Sequence, residues 1–150
     1  MKAMINLIES ISIARPAHEV WAFVADYAND LRWRKGVTEM VPDPPGPPAV
    51  GTAVHEVVRK FGSTYTTAST VTEVGPGYRY RFSGTGDSGK IEGGRTVTET
   101  DPATATFTYD IALEIDGFMS YLSPLARRAL TRGLRNDLLA LRQLLSSSER

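Results

Sequence analysis

Apolar positions recur along this chain with two different periods, and the change from one to the other divides it. Residues 4–13, MINLIESISI, place Ile5, Leu7, Ile11 and Ile13 on one face, which predicts a strand. After Pro16, Val20, Phe23, Val24 and Tyr27 recur at helical spacing with Trp21 beside the stripe. That pattern predicts a short amphipathic helix, opened by a proline whose missing N–H costs nothing in a first turn. NDLRW predicts one more helical turn and GVTEMV a brief strand. From residue 52 the period is two. TAVHEVVRKFG, STYTTASTVTEV, YRYRFSG, KIEGGRTVTET and TATFTYDIALEI are rich in Thr, Val and Tyr. Gly-containing turns separate these runs, which predicts antiparallel strands joined by hairpins. In the last run Ala105, Phe107, Tyr109, Ile111, Leu113 and Ile115 share one face, while Thr104, Thr106, Thr108, Asp110 and Glu114 share the other. Such a strand belongs to a sheet covered on one side. From Met119 to Leu145 the helical period returns, with Leu122, Ala126, Leu130, Leu134, Leu138, Leu141 and Leu145 in one stripe and arginines on its flanks. Ser123-Pro124 either caps this helix or kinks a longer one.

The order is strand, short helix, six strands, long helix, which predicts an α+β architecture. Residues 42–51, PDPPGPPAVG, hold five prolines and predict a stiff loop between strands. The C-terminal helix has the length and the stripe to cover the dry face of the sheet. One helix cannot fill the inner face of so wide a sheet. Large side chains must pack the remainder, or a cavity remains.

Composition narrows the function. A chain of 150 residues suits one domain, 1–150. Basic and acidic side chains number 17 each, so the positive footprint of a duplex nucleic-acid binder is missing. With no cysteine and two distant histidines, disulfide, thiol and metal chemistry lack ligands, and no cofactor is expected. No run approaches the roughly 20 apolar residues that span a bilayer, so stable membrane insertion is not expected. MKAMINLIES lacks the apolar core of an export signal, and a cytoplasmic location is the default. A homodimer is compatible with these features.

The segment ISIARPAHEVWAFVADYANDLRW, the β-run through FTYDIALEI and the terminal LLALRQLL helix together resemble the START/Bet v 1-like superfamily, in its polyketide cyclase/dehydrase-type (SRPBCC) branch. The first motif is carried by Pro16, Val20-Trp21, Asp26 and Trp33. The resemblance spans nearly the whole chain. It implies a helix-grip fold: a curved antiparallel sheet wrapped around a long C-terminal helix, with two short helices after strand 1. It also implies a hydrophobic small molecule held between sheet and helix. The branch has no universal catalytic motif.

The resemblance would set Trp21 and Trp33 near one end of such a cavity. Both are candidate ligand-binding residues: Trp21, on the helix face, is expected chiefly in the core, and Trp33, after a polar turn, at the ligand. Strand parity supplies other candidates. His55 shares a face with Ala53, Val57 and Phe61, against a rival face of Val54, Glu56, Val58 and Lys60. Turned inward, its imidazole is a candidate proton carrier. Arg95 shares parity with Ile91 and Val97; buried there, it would need a carboxylate such as Glu73, Glu99 or Asp110, or an oxygen of a ligand. A bulge at Gly93-Gly94 would instead turn it outward, and that reading is slightly preferred. Tyr65, Tyr80 and Tyr109 are candidate cavity hydroxyls. SGTGDSGK lacks a phosphate loop's following Ser/Thr and helix, and reads as a hairpin.

Three functions compete. The first is binding of a small hydrophobic molecule such as a polyketide, lipid or isoprenoid. The second is a cyclase, aromatase or dehydratase that folds a poly-carbonyl chain in the same cavity, with His55, Arg95 or a tyrosine moving protons. The third is a protein-interaction role for the arginine-bearing flanks of the long helix. The scarcity of inward acid–base pairs favours binding.

Overall fold

The computed structural model describes residues 2–87, 89–116 and 123–147. β1 (Lys2–Ile13) buries Ile5, Leu7 and Ile13, as its alternation dictates. Pro16 then caps α1 (Ala17–Val24), and its carbonyl accepts from the amides of Glu19 and Val20. α1 stops at Val24, so Tyr27 enters a 3-10 turn (Tyr27–Asn29), started where Asp26 accepts from the Ala28 amide. α2 (Asp30–Trp33) is the one further turn that NDLRW predicts.

β2 (Val37–Asp43), β3 (Ala53–Lys60), β4 (Ser63–Val74), β5 (Tyr78–Gly86), β6 (Gly89–Asp101) and β7 (Thr104–Asp116) follow. They join β1 in a seven-stranded antiparallel sheet of order β1-β7-β6-β5-β4-β3-β2. The proline-rich segment begins later than its composition suggests, because Pro42 lies inside β2. β2 is an edge strand, the position in a sheet to which proline is largely confined. Register shifts at Val37/Glu39, Val71/Glu73 and Glu99/Asp101 are places where an extra residue increases strand twist.

α3 (Ser123–Ser147) packs along β1 and against α2. Ala126, Leu134, Leu138, Leu141 and Leu145 are buried, with Leu130 partly so. Met119 and Leu122, the predicted start of this stripe, lie outside the described residues. The result is the predicted helix grip: β7 turns Phe107, Tyr109 and Ile115 inward, and α3 lies across that face.

Candidate functional site

Two regions fill the space between helices and sheet. The first surrounds Arg95. The Gly93-Gly94 pair does not bulge: Gly93 pairs with Ile111, Gly94 with Asp110 and Arg95 with Tyr109 in regular register. A Cβ at Gly93 would lie 2.2 Å from the Asp110 carbonyl oxygen, so the glycine serves close packing between strands. Arg95 therefore keeps its inward parity and is 1 % exposed, which overturns the preferred outward reading. Its carboxylate is none of the three suggested by the sequence. Asp30, at the start of α2, accepts from Arg95 Nη1 at 2.9 Å and Nη2 at 2.5 Å. Arg95 Nη1 also donates to the Val24 carbonyl at the end of α1, 2.9 Å away. One guanidinium thus ties both short helices to β6. The rings of Tyr27, Trp33 and Tyr109 surround it at 5.3, 5.4 and 4.8 Å. Burial works against the Arg95 charge, but Asp30 and the neighbouring tyrosines hold its pKa above the usual arginine range. Burial also pushes the Tyr27 hydroxyl up to about 12 against the opposing pull of Arg95, and pushes Tyr80 up likewise.

The ion-pair chain continues toward the second region. Arg34 Nη1 lies 3.0 Å from Asp30 Oδ2 and 2.6 Å from Glu56 Oε2. Burial opposes the Arg34 charge, yet Glu56, Tyr109 and Asp30 together hold its pKa above the arginine norm. Arg34 and Glu56 line a cavity of about 210 Å³ under the N-terminal half of α3. Its apolar walls include Leu7, Val58, Ile111, Leu113, Leu130 and Leu134. Tyr109, Lys60 and Asp137 join Arg34 and Glu56 among the polar lining groups. Asp137 Oδ1 accepts from the Lys35 amide at 3.2 Å, which links α3 to the segment after α2. Burial raises the Asp137 carboxyl above its ordinary value, partly offset by the Lys35 amide, Arg34 and Lys60. Phe61 also lines the cavity; it is 60 % exposed at the β3–β4 turn, in a left-handed conformation with φ 55°.

The sequence candidates fall on both sides of this division. Tyr65 and Tyr109 line the cavity. Tyr80 does not; it is fully buried against Trp21 and Tyr27, with ring centroids 5.6 and 5.4 Å away. Trp21, expected in the core, is half-buried and also stacks on Tyr78. Trp33, expected at the ligand, is 2 % exposed and packs edge-on against Phe107 and Tyr109. Neither tryptophan borders the cavity. His55 is exposed, because the rival face of β3 turned inward: Val54 is buried and Glu56, Val58 and Lys60 face the cavity. That rival parity was the available signal for Glu56 and Lys60. Asp30, Arg34 and Asp137 carried none, since each is an ordinary charge on a short helix, a loop or a helix flank. What the arrangement offers chemically is a largely apolar chamber bordered by the fixed cation Arg34, by Lys60 and Lys90, by the carboxylates of Glu56, Asp87, Glu114 and Asp137, and by the phenols of Tyr65 and Tyr109.

Comparison with known proteins agrees with this architecture. Residues 4–146 match the family described as polyketide cyclase / dehydrase and lipid transport, and the chain belongs to it. No curated protein matches the chain by sequence. Zhui aromatase/cyclase from Streptomyces sp. R1128 superposes with a TM-score of 0.82 at 14 % identity, covering 99 % of this chain and 97 % of that one. A START superfamily protein from Mycobacterium smegmatis gives 0.78 at 13 % identity, covering 95 % and 98 %. Norcoclaurine synthase from Thalictrum flavum, solved with dopamine and hydroxybenzaldehyde, gives 0.65 at 11 % identity, covering 99 % and 90 %. At these identities the likeness is one of fold.

Proposed function

From membership in the polyketide cyclase / dehydrase and lipid transport family, we propose that the protein binds a small hydrophobic molecule between α3 and the sheet. The observation that carries this is the cavity itself: a largely apolar surface between α3 and the sheet, built by Leu7, Val58, Ile111, Leu113, Leu130 and Leu134, with polar and charged side chains around it that can orient a ligand. Its volume of about 210 Å³ is below the roughly 300–1,000 Å³ common for larger ligands, so the occupant is small or the Phe61 turn moves to admit it. Arg34, held by Asp30 and Glu56, is placed to meet an oxygen of that molecule. The neutral fluorophore 1-aminoanthracene tests this. It should bind the protein and be displaced by apolar competitors, and Ile111→Trp, which fills the cavity, should abolish binding without unfolding the chain. Unchanged affinity in that variant would count against the site.

One observation supports a second reading, an enzyme of the cyclase, aromatase or dehydratase type acting on a poly-carbonyl substrate. Glu56 and Asp137 border the same chamber as Arg34, so groups able to take up and return protons stand beside one able to polarise a carbonyl. Asp137→Asn and Glu56→Gln should then stop turnover of a poly-carbonyl thioester while probe binding persists. Turnover retained by both would leave binding alone.

A further inference from the structure

Charge is unevenly spread over this neutral chain. α3 carries Arg127, Arg128, Arg132, Arg135 and Arg142 against a single acid, Asp137. The first four of these arginines line a groove of about 740 Å³ between α3 and β1, with Met4 and Ile5 on its other wall. The groove shares no lining residue with the ligand cavity.

Two contacts at this groove show what its arginines accept. Arg127 Nη1 donates to the Asn6 carbonyl of β1 at 2.9 Å. Arg135 grips the Glu9 carboxylate through Nε at 2.9 Å and Nη2 at 3.4 Å. One acceptor is a peptide carbonyl and the other a carboxylate, the two groups that an acidic peptide brings. Arg128 and Arg132 have no side-chain partner among the described residues. β1 is an edge strand, and alternation sets the backbone groups of Met4 and Ile8 on the same free side as those of Asn6. The side chains of Met4 and Ile8 are 49 % and 68 % exposed.

We propose that this groove docks an extended acidic segment of a partner protein, added along the free edge of β1. Main-chain hydrogen bonds would come from β1, and specificity from carboxylates received by Arg128 and Arg132. The spacings agree. Four helical residues rise about 6 Å, and alternate residues of a strand repeat at roughly 6.5 Å. The segment therefore carries Asp or Glu at alternate positions. A recess with an edge strand on one wall suits a polypeptide better than a flat bilayer. The inference does not rest on the ligand reading.

The test uses the full chain and a fluorescein-labelled octapeptide of alternating Glu and Val. This probe should bind, and its counterpart with Gln for Glu should not. Combined Arg128→Gln and Arg132→Gln should weaken it by about tenfold or more and flatten its salt dependence, since two charge-assisted contacts are lost. Thermal unfolding should be unchanged, because neither arginine holds the fold together. Arg59→Gln, an exposed change on β3, should leave affinity intact. Bound peptide should slow amide exchange at Met4 and Ile8. Equal binding of both peptides, or full affinity in the double variant, would overturn the proposal. So would capture by phosphatidylserine vesicles through the same arginines with the peptide ignored, which would make the partner a bilayer. Loss of self-association in the double variant without any peptide binding would point to a second copy and overturn it equally.

Discussion

At one end of the space under the helices, Trp33, Arg95, Asp30 and Tyr80 are packed to no more than 2 % exposure. At the other end Ile111, Leu113 and Leu130 stay partly covered and border a cavity of about 210 Å³. The same sheet face supports both, so the difference lies in what covers it. The short helices deliver large side chains, and Arg95 draws their ends onto the sheet. Above the cavity α3 presents Ala126, and the β5–β6 hairpin contributes Gly86 and Gly89. Small residues at facing positions leave volume that their neighbours do not collapse to fill. The packed end also positions the open one, because Asp30 holds both Arg95 inside the core and Arg34 at the cavity.

The hardest blow to this comparison should be Asp30→Ala. It leaves the buried Arg95 guanidinium without its carboxylate and Arg34 with Glu56 alone, and loss of one partner of a buried pair costs about 3–5 kcal/mol. Urea unfolding measures it. A cost near zero would show that the cluster is not what closes this end. Pairing it with Arg95→Met should recover part of the loss, because an unpaired charge no longer remains.

Trp33→Ala should follow at about 3–5 kcal/mol, the range for a buried large side chain, with fluorophore affinity little changed. Trp21→Ala should cost less, because its ring is already partly in water. Equal losses for the two tryptophans would erase the distinction between a sealed end and a surface stack.

Along α3 the same contrast should appear within one helix. Leu138, 2 % exposed and outside the cavity, should cost about 2–5 kcal/mol on change to alanine. Leu130, half-buried on the cavity wall, should cost less than half as much, since fewer contacts are lost there. A reversed order would place the void elsewhere.

The smallest effect should come from Asp137→Asn, read against pH. Its folded carboxyl titrates above the unfolded value of 3.8, chiefly through burial. The native state then binds that proton more tightly than the unfolded chain, and stability falls as pH rises through the window above 3.8. The variant should therefore be more stable than the parent at neutral pH and converge with it below the unfolded value. Denaturant midpoints across that range test the sign. A variant less stable at neutral pH would mean that Arg34 and Lys60 outweigh the desolvation.

The amino-acid sequence by itself determined the alternation of β1 and β7, the helical turn at NDLRW, the leucine stripe of α3 and the resemblance that assembles them. These follow from local period and from burial of one face, which each segment carries in its own order of residues. Parity also placed Tyr109 inward and offered Glu56 and Lys60 as one of two faces of β3. Choosing between those faces needed the neighbours of β3, because both held valines. Only the tertiary structure decided that Arg95 meets Asp30, a residue 65 positions away, or that Asp137 meets the Lys35 amide across 102. Charged groups pair by position in space and carry no period along the chain. The cavity is also a tertiary result, since a void depends on how far two packed surfaces close, and no single segment records that distance.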